Sequence, residues 1–301
     1  MARLHGSRVL RFGLAVASAT SLVAAFVAVM APATAGAVVT AGRYAALGDS
    51  FTSSPLTGLP TGPNGFGCTR SDNNYPHLVQ AALQASEFAD ISCGGARTDH
   101  VFAPQTGPLG GTNEPQLTAV TAATTIVTIG FGGNDIGFSS IVQNCLSLLP
   151  FGSPCRDRYT AGGVDQLAAR IAATAPKIDN VLAAVRQQAP AARIFVVGYP
   201  AILPDSGGGC YPLMPITPTD VAYLRATEKR LNAMLADRAA AAGARYADVY
   251  TGSIGHDVCA PSGVRWIEGL VPASPAAPVH PNALGSRGMA DLVLRAVLAA
   301  S

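Results

Sequence analysis

Charge is what this chain has least of. Asp, Glu, Lys and Arg make up 13% of its 301 residues, against roughly 25% in ordinary globular proteins. The near-balanced total of +2 argues against a dedicated nucleic-acid binder, which needs a concentrated basic surface. Only two lysines occur, Lys177 and Lys229, and neither follows a glycine, so no phosphate-binding Gly-Lys loop is available. Also missing are G-x-G-x-x-G, H-E-x-x-H, C-x-x-C, and any serine with glycine two residues away on both sides. Their absence argues against a dinucleotide site, a zinc-protease helix, a zinc ribbon or thiol redox pair, and the nucleophile elbow of α/β-hydrolases. No linker-like run and no internal repeat divides the chain. What it has instead is apolar content, 49% of residues, too much for a disordered segment.

The charge is unevenly placed. Residues 1–37 hold Arg3, Arg8 and Arg11 and no acid, so the rest carries 17 basic and 18 acidic residues, a net of −1. A basic start, an uncharged run from Phe12 to Met30, and small-x-small sites at Ala33-Thr34-Ala35 and Ala35-Gly36-Ala37 have the form of a secretory signal. Cleavage near Ala35 or Ala37 is expected, leaving residues 38–301 as one exported domain. An uncleaved anchor is the competing reading, since a span needs about 20 residues, but Ser18, Thr20 and Ser21 dilute the run.

All six cysteines, Cys68, Cys93, Cys145, Cys155, Cys210 and Cys259, follow that segment. An even count in an exported chain predicts three disulfides, although six cysteines allow 15 pairings.

Short apolar runs that end near glycine alternate with Ala-rich helical patterns. Strands are expected over Arg43–Leu47, Thr124–Ile129 and Arg193–Val197, with weaker signals over Phe88–Ser92 and Arg245–Val249. Helices are expected over Pro76–Ala85, Val164–Gln188, Pro218–Ala242 and Asn282–Ala299. The alternation predicts βαβ units in a parallel sheet covered on both faces. In such a sheet, sites form beyond the carboxyl ends of the strands. Three polar glycine turns fall at such ends: Gly48-Asp49-Ser50, Cys93-Gly94-Gly95 and Gly132-Gly133-Asn134-Asp135.

These turns hold the parts of an acyl-transfer site. Ser50 would project a hydroxyl, which needs a base to become a nucleophile. His77, His100, His256 and His280 are the candidate bases outside the leader; His280 stands in Pro278-Val279-His280-Pro281-Asn282, where the prolines hold it rigidly. The glycine turns and the Asn134 amide offer donors for an oxyanion. Asp49 and Asp135 fit turn and scaffold roles better than metal binding. Each signal is common in loops when taken alone.

Taken in order, the four blocks resemble those of the SGNH (GDSL-type) hydrolases: Leu47-Gly48-Asp49-Ser50-Phe51-Thr52-Ser53, Ser92-Cys93-Gly94-Gly95-Ala96, Gly132-Gly133-Asn134-Asp135 and Val279-His280-Pro281-Asn282. The resemblance spans residues 43–299 and is nearest to secreted actinobacterial lipases and esterases with three disulfides. It implies a flavodoxin-like three-layer α/β/α sandwich whose central parallel sheet has about five strands. It makes Ser50 the nucleophile and His280 the base. It places the Ser50 and Gly95 N–H groups and the Asn134 side chain in the oxyanion hole, with Gly94 as the alternative to Gly95. It pairs Cys68 with Cys93, Cys145 with Cys155 and Cys210 with Cys259. It calls for no cofactor and no metal.

The chain departs from the family pattern in two places. The family usually has Asp three residues before the histidine, and here that residue is Ala277. Some secreted members use a main-chain carbonyl, so the Ala277 carbonyl is expected to hold His280 in its tautomer; Glu268 and Asp257 are the rival acids. The family often has glycine about four residues after the serine, where Ser54 and Pro55 stand here. The activity implied is hydrolysis of lipid or other acyl esters by a secreted monomer, with transient contact to a lipid interface. The alternatives are a polysaccharide acetyl-esterase and a catalytically silent cell-surface binding protein.

Overall fold

A computed structural model describes residues 42–299. The expected signal segment and its cleavage sites lie outside the described residues. Within them the chain runs β1 (Arg43–Gly48), α1 (Ser50–Ser53), α2 (Tyr75–Leu83), β2 (Glu87–Asp90), the small hairpin β3 (Gln105–Thr106) and β4 (Thr112–Asn113), then β5 (Thr124–Gly130). There follow α3 (Phe138–Cys145), α4 (Pro154–Tyr159), α5 (Gln166–Gln188), β6 (Arg193–Val197), α6 (Pro218–Ala241), β7 (Arg245–Ala247), α7 (Val249–Gly252) and α8 (Ala283–Leu298). No helix among the described residues is long and apolar enough to cross a membrane.

The main sheet has the order β2-β1-β5-β6-β7, and all four pairings are parallel. Its strands alternate between two cores. Ala45, Leu47, Val127, Ile129, Ile194 and Val196 pack on the side that holds Ile178, Leu182 and Leu235 of α5 and α6. Tyr44, Ala46, Ile126, Phe195 and Val197 pack on the other, against Val79 and Leu83 of α2 and Met289 and Val293 of α8. Burial on both faces is why the strands lack polar alternation. The result is the three-layer α/β/α sandwich expected from the sequence.

Element ends are set by local hydrogen bonds that apolar periodicity does not encode. The second strand stops at Asp90 rather than reaching Ser92, because the Ser92 amide and hydroxyl donate to the Asp90 carboxylate at 3.0 and 2.6 Å. Strand β7 stops at Ala247 rather than reaching Val249, because the Asp248 side chain accepts from the Thr251 amide and starts α7.

From β1 the chain moves to β2 on one side and then returns to β5 on the other. The carboxyl ends of β1 and β5 therefore form the switch point where a parallel sheet opens a crevice. Three disulfides brace the loops on that edge: Cys68–Cys93, Cys145–Cys155 and Cys210–Cys259.

Candidate active site

Ser50 sits in the first turn after β1. Asp49 caps that turn, its side chain accepting from the Phe51 amide at 2.9 Å, while its own amide donates to the Gly130 carbonyl at the end of β5. Gly48 must lack a side chain here: a Cβ would collide with Thr52 and stand 3.0 Å from the Gly130 carbonyl. The buried Gln116 clamps the strand end, with its side chain bonding both the amide and the carbonyl of Gly48. Ser54, at the family's glycine position, ends the turn with φ +45°, a left-handed conformation that explains why glycine is common there.

His280 reaches Ser50 from the far end of the chain, with Nε2 2.7 Å from the serine Oγ. Its Nδ1 is 2.7 Å from the carbonyl of Pro278. A carbonyl only accepts, so Nδ1 carries the proton and Nε2 is free to accept from the serine hydroxyl. The ring packs beside Phe51 and Phe138, at centroid distances of 5.1 and 5.9 Å. Burial pushes the imidazole below its ordinary pKa, and the Pro278 carbonyl pulls it partly back.

The acceptor is Pro278 and not the expected Ala277. The Ala277 carbonyl is taken by the His280 backbone amide at 3.2 Å, closing a four-residue turn. Pro278 stands second in that turn and Val279 third, with φ +59°, a place normally given to glycine. Left-handed backbone at a β-branched residue costs roughly 1–2 kcal/mol. That conformation leaves the Pro278 carbonyl free to face the ring. Neither rival carboxylate bonds to the His280 ring, although the Glu268 backbone amide donates to the His280 carbonyl at 3.0 Å. Glu268 is buried and accepts from the Ala273 amide and the Asn282 side chain, at 2.8 and 2.7 Å. Asp257 accepts from the Cys259 amide.

Three donors lie at the same edge. Ser50 heads its helical turn, where an amide has no partner within the helix. Gly95 has φ +72°, and its amide donates to no protein group among the described residues. The Gly94 amide is already committed to the Cys68 carbonyl at 2.8 Å. The Asn134 amide donates one hydrogen to the Ala96 carbonyl at 3.0 Å, tying the third block to the second and leaving its other hydrogen free.

Two features escaped the sequence reading. The Tyr199 hydroxyl, just after β6, accepts from the Gly133 amide at 2.8 Å and donates to Asp49 at 2.6 Å, so it bridges the serine turn and the asparagine turn. Burial lifts the Asp49 carboxyl to about 7, against the donations from Tyr199 and Phe51. Only the strand-end position of Tyr199 hinted at this. The second feature is an apolar cavity behind the histidine, lined by Phe138, which packs on the His280 ring, by Val279 and Gly133, and by Met214, Ile216 and Leu231. Asp135 accepts from the Thr98 amide and hydroxyl, a scaffold role.

A hydroxyl bonded to an oriented imidazole, with amides converging nearby, is the constellation of a serine hydrolase. Comparison with known proteins agrees. The sequence profile of the GDSL-like lipase/acylhydrolase family matches residues 46–287. Lipase 2 of Streptomyces coelicolor is 38% identical over 82% of this chain and 83% of its own length. Two crystal structures superpose with a TM-score of 0.70, each over 85% of this chain and 100% of its own. They are an extracellular lipase of Streptomyces rimosus at 31% identity and phospholipase A1 of Streptomyces albidoflavus at 27%. The chain belongs to the GDSL-like lipase/acylhydrolase family and is a carboxylic ester hydrolase.

Proposed function

We propose that the protein is an exported acyl-ester hydrolase working through an acyl-enzyme on a Ser50–His280 dyad, with the Pro278 carbonyl in place of the usual aspartate. The observation that carries this reading is the 2.7 Å contact of Ser50 Oγ with His280 Nε2 at the sheet's switch point. His280 takes the hydroxyl proton as the serine oxygen attacks the ester carbonyl. The tetrahedral oxyanion lies among the Ser50 and Gly95 amides and the Asn134 side chain. His280 then gives its proton to the leaving alcohol, and a water activated by the same nitrogen releases the acid. Export is supported by three disulfides on the site-bearing loops and by the extracellular Streptomyces rimosus relative.

Asn134→Ala removes the side-chain donor. The expected result is a kcat lower by about 10²–10³-fold with KM changed far less.

We assign the acyl chain of the ester to the apolar cavity whose wall includes Phe138, which packs on His280, and Val279, its neighbour in sequence, an assignment that favours aliphatic acyl chains over acetate. A p-nitrophenyl ester series from acetate upward tests this. kcat/KM should rise with chain length before it falls. Turnover of acetate alone would replace the reading with an acetyl-esterase, and no turnover of any ester would leave a silent binding protein.

A further inference from the structure

The loops around the site have an unusual composition. Residues 54–69, 101–113, 146–155, 206–219 and 269–279 contain no Asp, Glu, Lys or Arg. In chain order the segments lie between β1 and α2, between β2 and β5, between β5 and α5, between β6 and the first turn of α6, and between β7 and α8, on connections that leave the carboxyl ends of the main-sheet strands, where Ser50 lies. Exposed charges stand at the segments' borders, among them Arg97 and Asp99 before the second segment and Arg156, Asp157 and Arg158 after the third; five uncharged stretches on one side of the sheet are not what solvation alone would select, since exposed loops are normally where charge is placed.

Two of these segments form one platform. The Cys145–Cys155 disulfide closes the first. The Ser147 amide donates to the Pro215 carbonyl at 2.7 Å, the Tyr211 hydroxyl to the Leu148 carbonyl at 2.6 Å, and the Thr217 hydroxyl to the Gly152 carbonyl at 3.0 Å. So stapled, the loops hold large apolar side chains in water: Leu148 is 95% exposed and Leu213 79%, with Leu149 and Phe151 also exposed. The neighbours of Leu213 in sequence point the other way. Met214 and Ile216 are buried and line the apolar cavity beside His280. The exposed face and the cavity wall are thus two sides of one short segment.

Monomeric proteins rarely hold so many large apolar side chains rigidly in solvent unless something covers them. We propose that this platform seats the enzyme on an uncharged lipid surface and sets the cavity mouth against the acyl chains in it. The proposal rests on the acyl-ester reading above and deepens it. A protein partner fits less well, because protein interfaces set a polar pattern of hydrogen bonds around and within their apolar core, and the exposed side chains of the platform, Leu148, Leu149, Phe151 and Leu213, offer none. An anionic membrane fits less well too, since attraction to it needs a cluster of Lys or Arg, and the arginines bordering the platform, Arg156 and Arg158, flank Asp157, with Arg156 paired to it at 3.4 Å. A lipid surface alone would use both sides of the segment, the outer one to dock and the inner one to receive a chain.

The test uses the full mature chain as Ser50→Ala, so that binding is read without hydrolysis. Co-sedimentation with pure phosphatidylcholine vesicles is compared at low and high salt. The parent should bind, with no loss at high salt. Leu148→Ser with Leu213→Ser should lower the partition coefficient at least about tenfold. The same pair of changes on the active enzyme should leave turnover of a dissolved short-chain p-nitrophenyl ester within about twofold. Both side chains are in solvent, so folding is not at issue. The idea is overturned if the parent ignores phosphatidylcholine, if it binds only anionic vesicles and salt releases it, or if the double variant binds as the parent does. It is overturned too if the parent is a dimer that the double variant splits, for the platform would then face a second copy. Failure of the hydrolase reading would show separately, as no turnover of the dissolved ester by the parent.

Discussion

Ser50→Ala should lower kcat on any ester substrate by a factor on the order of 10⁵ to 10⁶, the scale seen when the nucleophile of a serine hydrolase is removed. The size follows from the order of events. Without the hydroxyl no acyl-enzyme forms, and the remaining donors can only hold a substrate for direct attack by water, which retains a small residue of catalysis. The change should leave the fold alone. The hydroxyl's bond is to His280 Nε2, while the turn is fixed by other groups: the Asp49 cap, the Gly130 carbonyl and the Gln116 clamp. The melting temperature should therefore stay within a few degrees of the parent's. A serine-directed fluorophosphonate should label the parent at Ser50 and fail to label the variant. Activity above about a hundredth of the parent's in a folded variant would mean that another nucleophile does the work.

Much of this site is legible in the sequence because each block is local. A buried strand followed by Gly48-Asp49-Ser50 or Gly132-Gly133-Asn134 announces a turn at a sheet edge from four or five residues. The parallel sheet then brings such turns together whatever their separation in sequence. What stayed hidden depends on direction rather than type. A carbonyl beside His280 is what the resemblance to secreted members implies where the acid is missing. Which carbonyl serves it is decided by the positive φ of Val279, and nothing in a valine announces that conformation. That the Gly94 amide is held by the Cys68 carbonyl is a contact between loops, and no local pattern announces it. Tyr199 joins two turns that lie 150 and 66 residues away from it, and a lone tyrosine after a strand carries no sign of either. The short helices α3 and α4 were missed as well, each being too brief to show a repeat.

The substitution of a carbonyl for a carboxylate leads to the second large effect. His280→Ala should cost on the order of 10⁴-fold or more in kcat, since proton removal and delivery both pass through this ring. Glu268→Gln and Asp257→Asn should each stay within about tenfold of the parent once assayed below their melting points, against the roughly 10⁴-fold loss that follows when a true triad aspartate becomes asparagine. Glu268→Gln should lower stability by about 1–3 kcal/mol, because the Ala273 amide and the Asn282 side chain both donate to the buried Glu268 carboxylate. The pH profile separates the two arrangements further. A carboxylate partner would favour the imidazolium and raise the pKa of the ring. Here desolvation favours the neutral ring, and the Pro278 carbonyl only partly opposes it. The acid limb of kcat/KM should accordingly have its midpoint below the ordinary histidine value of about 6.5, with activity lost as pH falls through it and His280 takes up a proton. Asp49, lifted to about 7, titrates close enough to confuse that limb. Asp49→Asn removes it while keeping a side chain that can cap the turn, and the midpoint left in that variant belongs to His280. A midpoint above 7 in Asp49→Asn, or a loss in Glu268→Gln or Asp257→Asn comparable to that of His280→Ala, would show that an acid and not the Pro278 carbonyl orients the base.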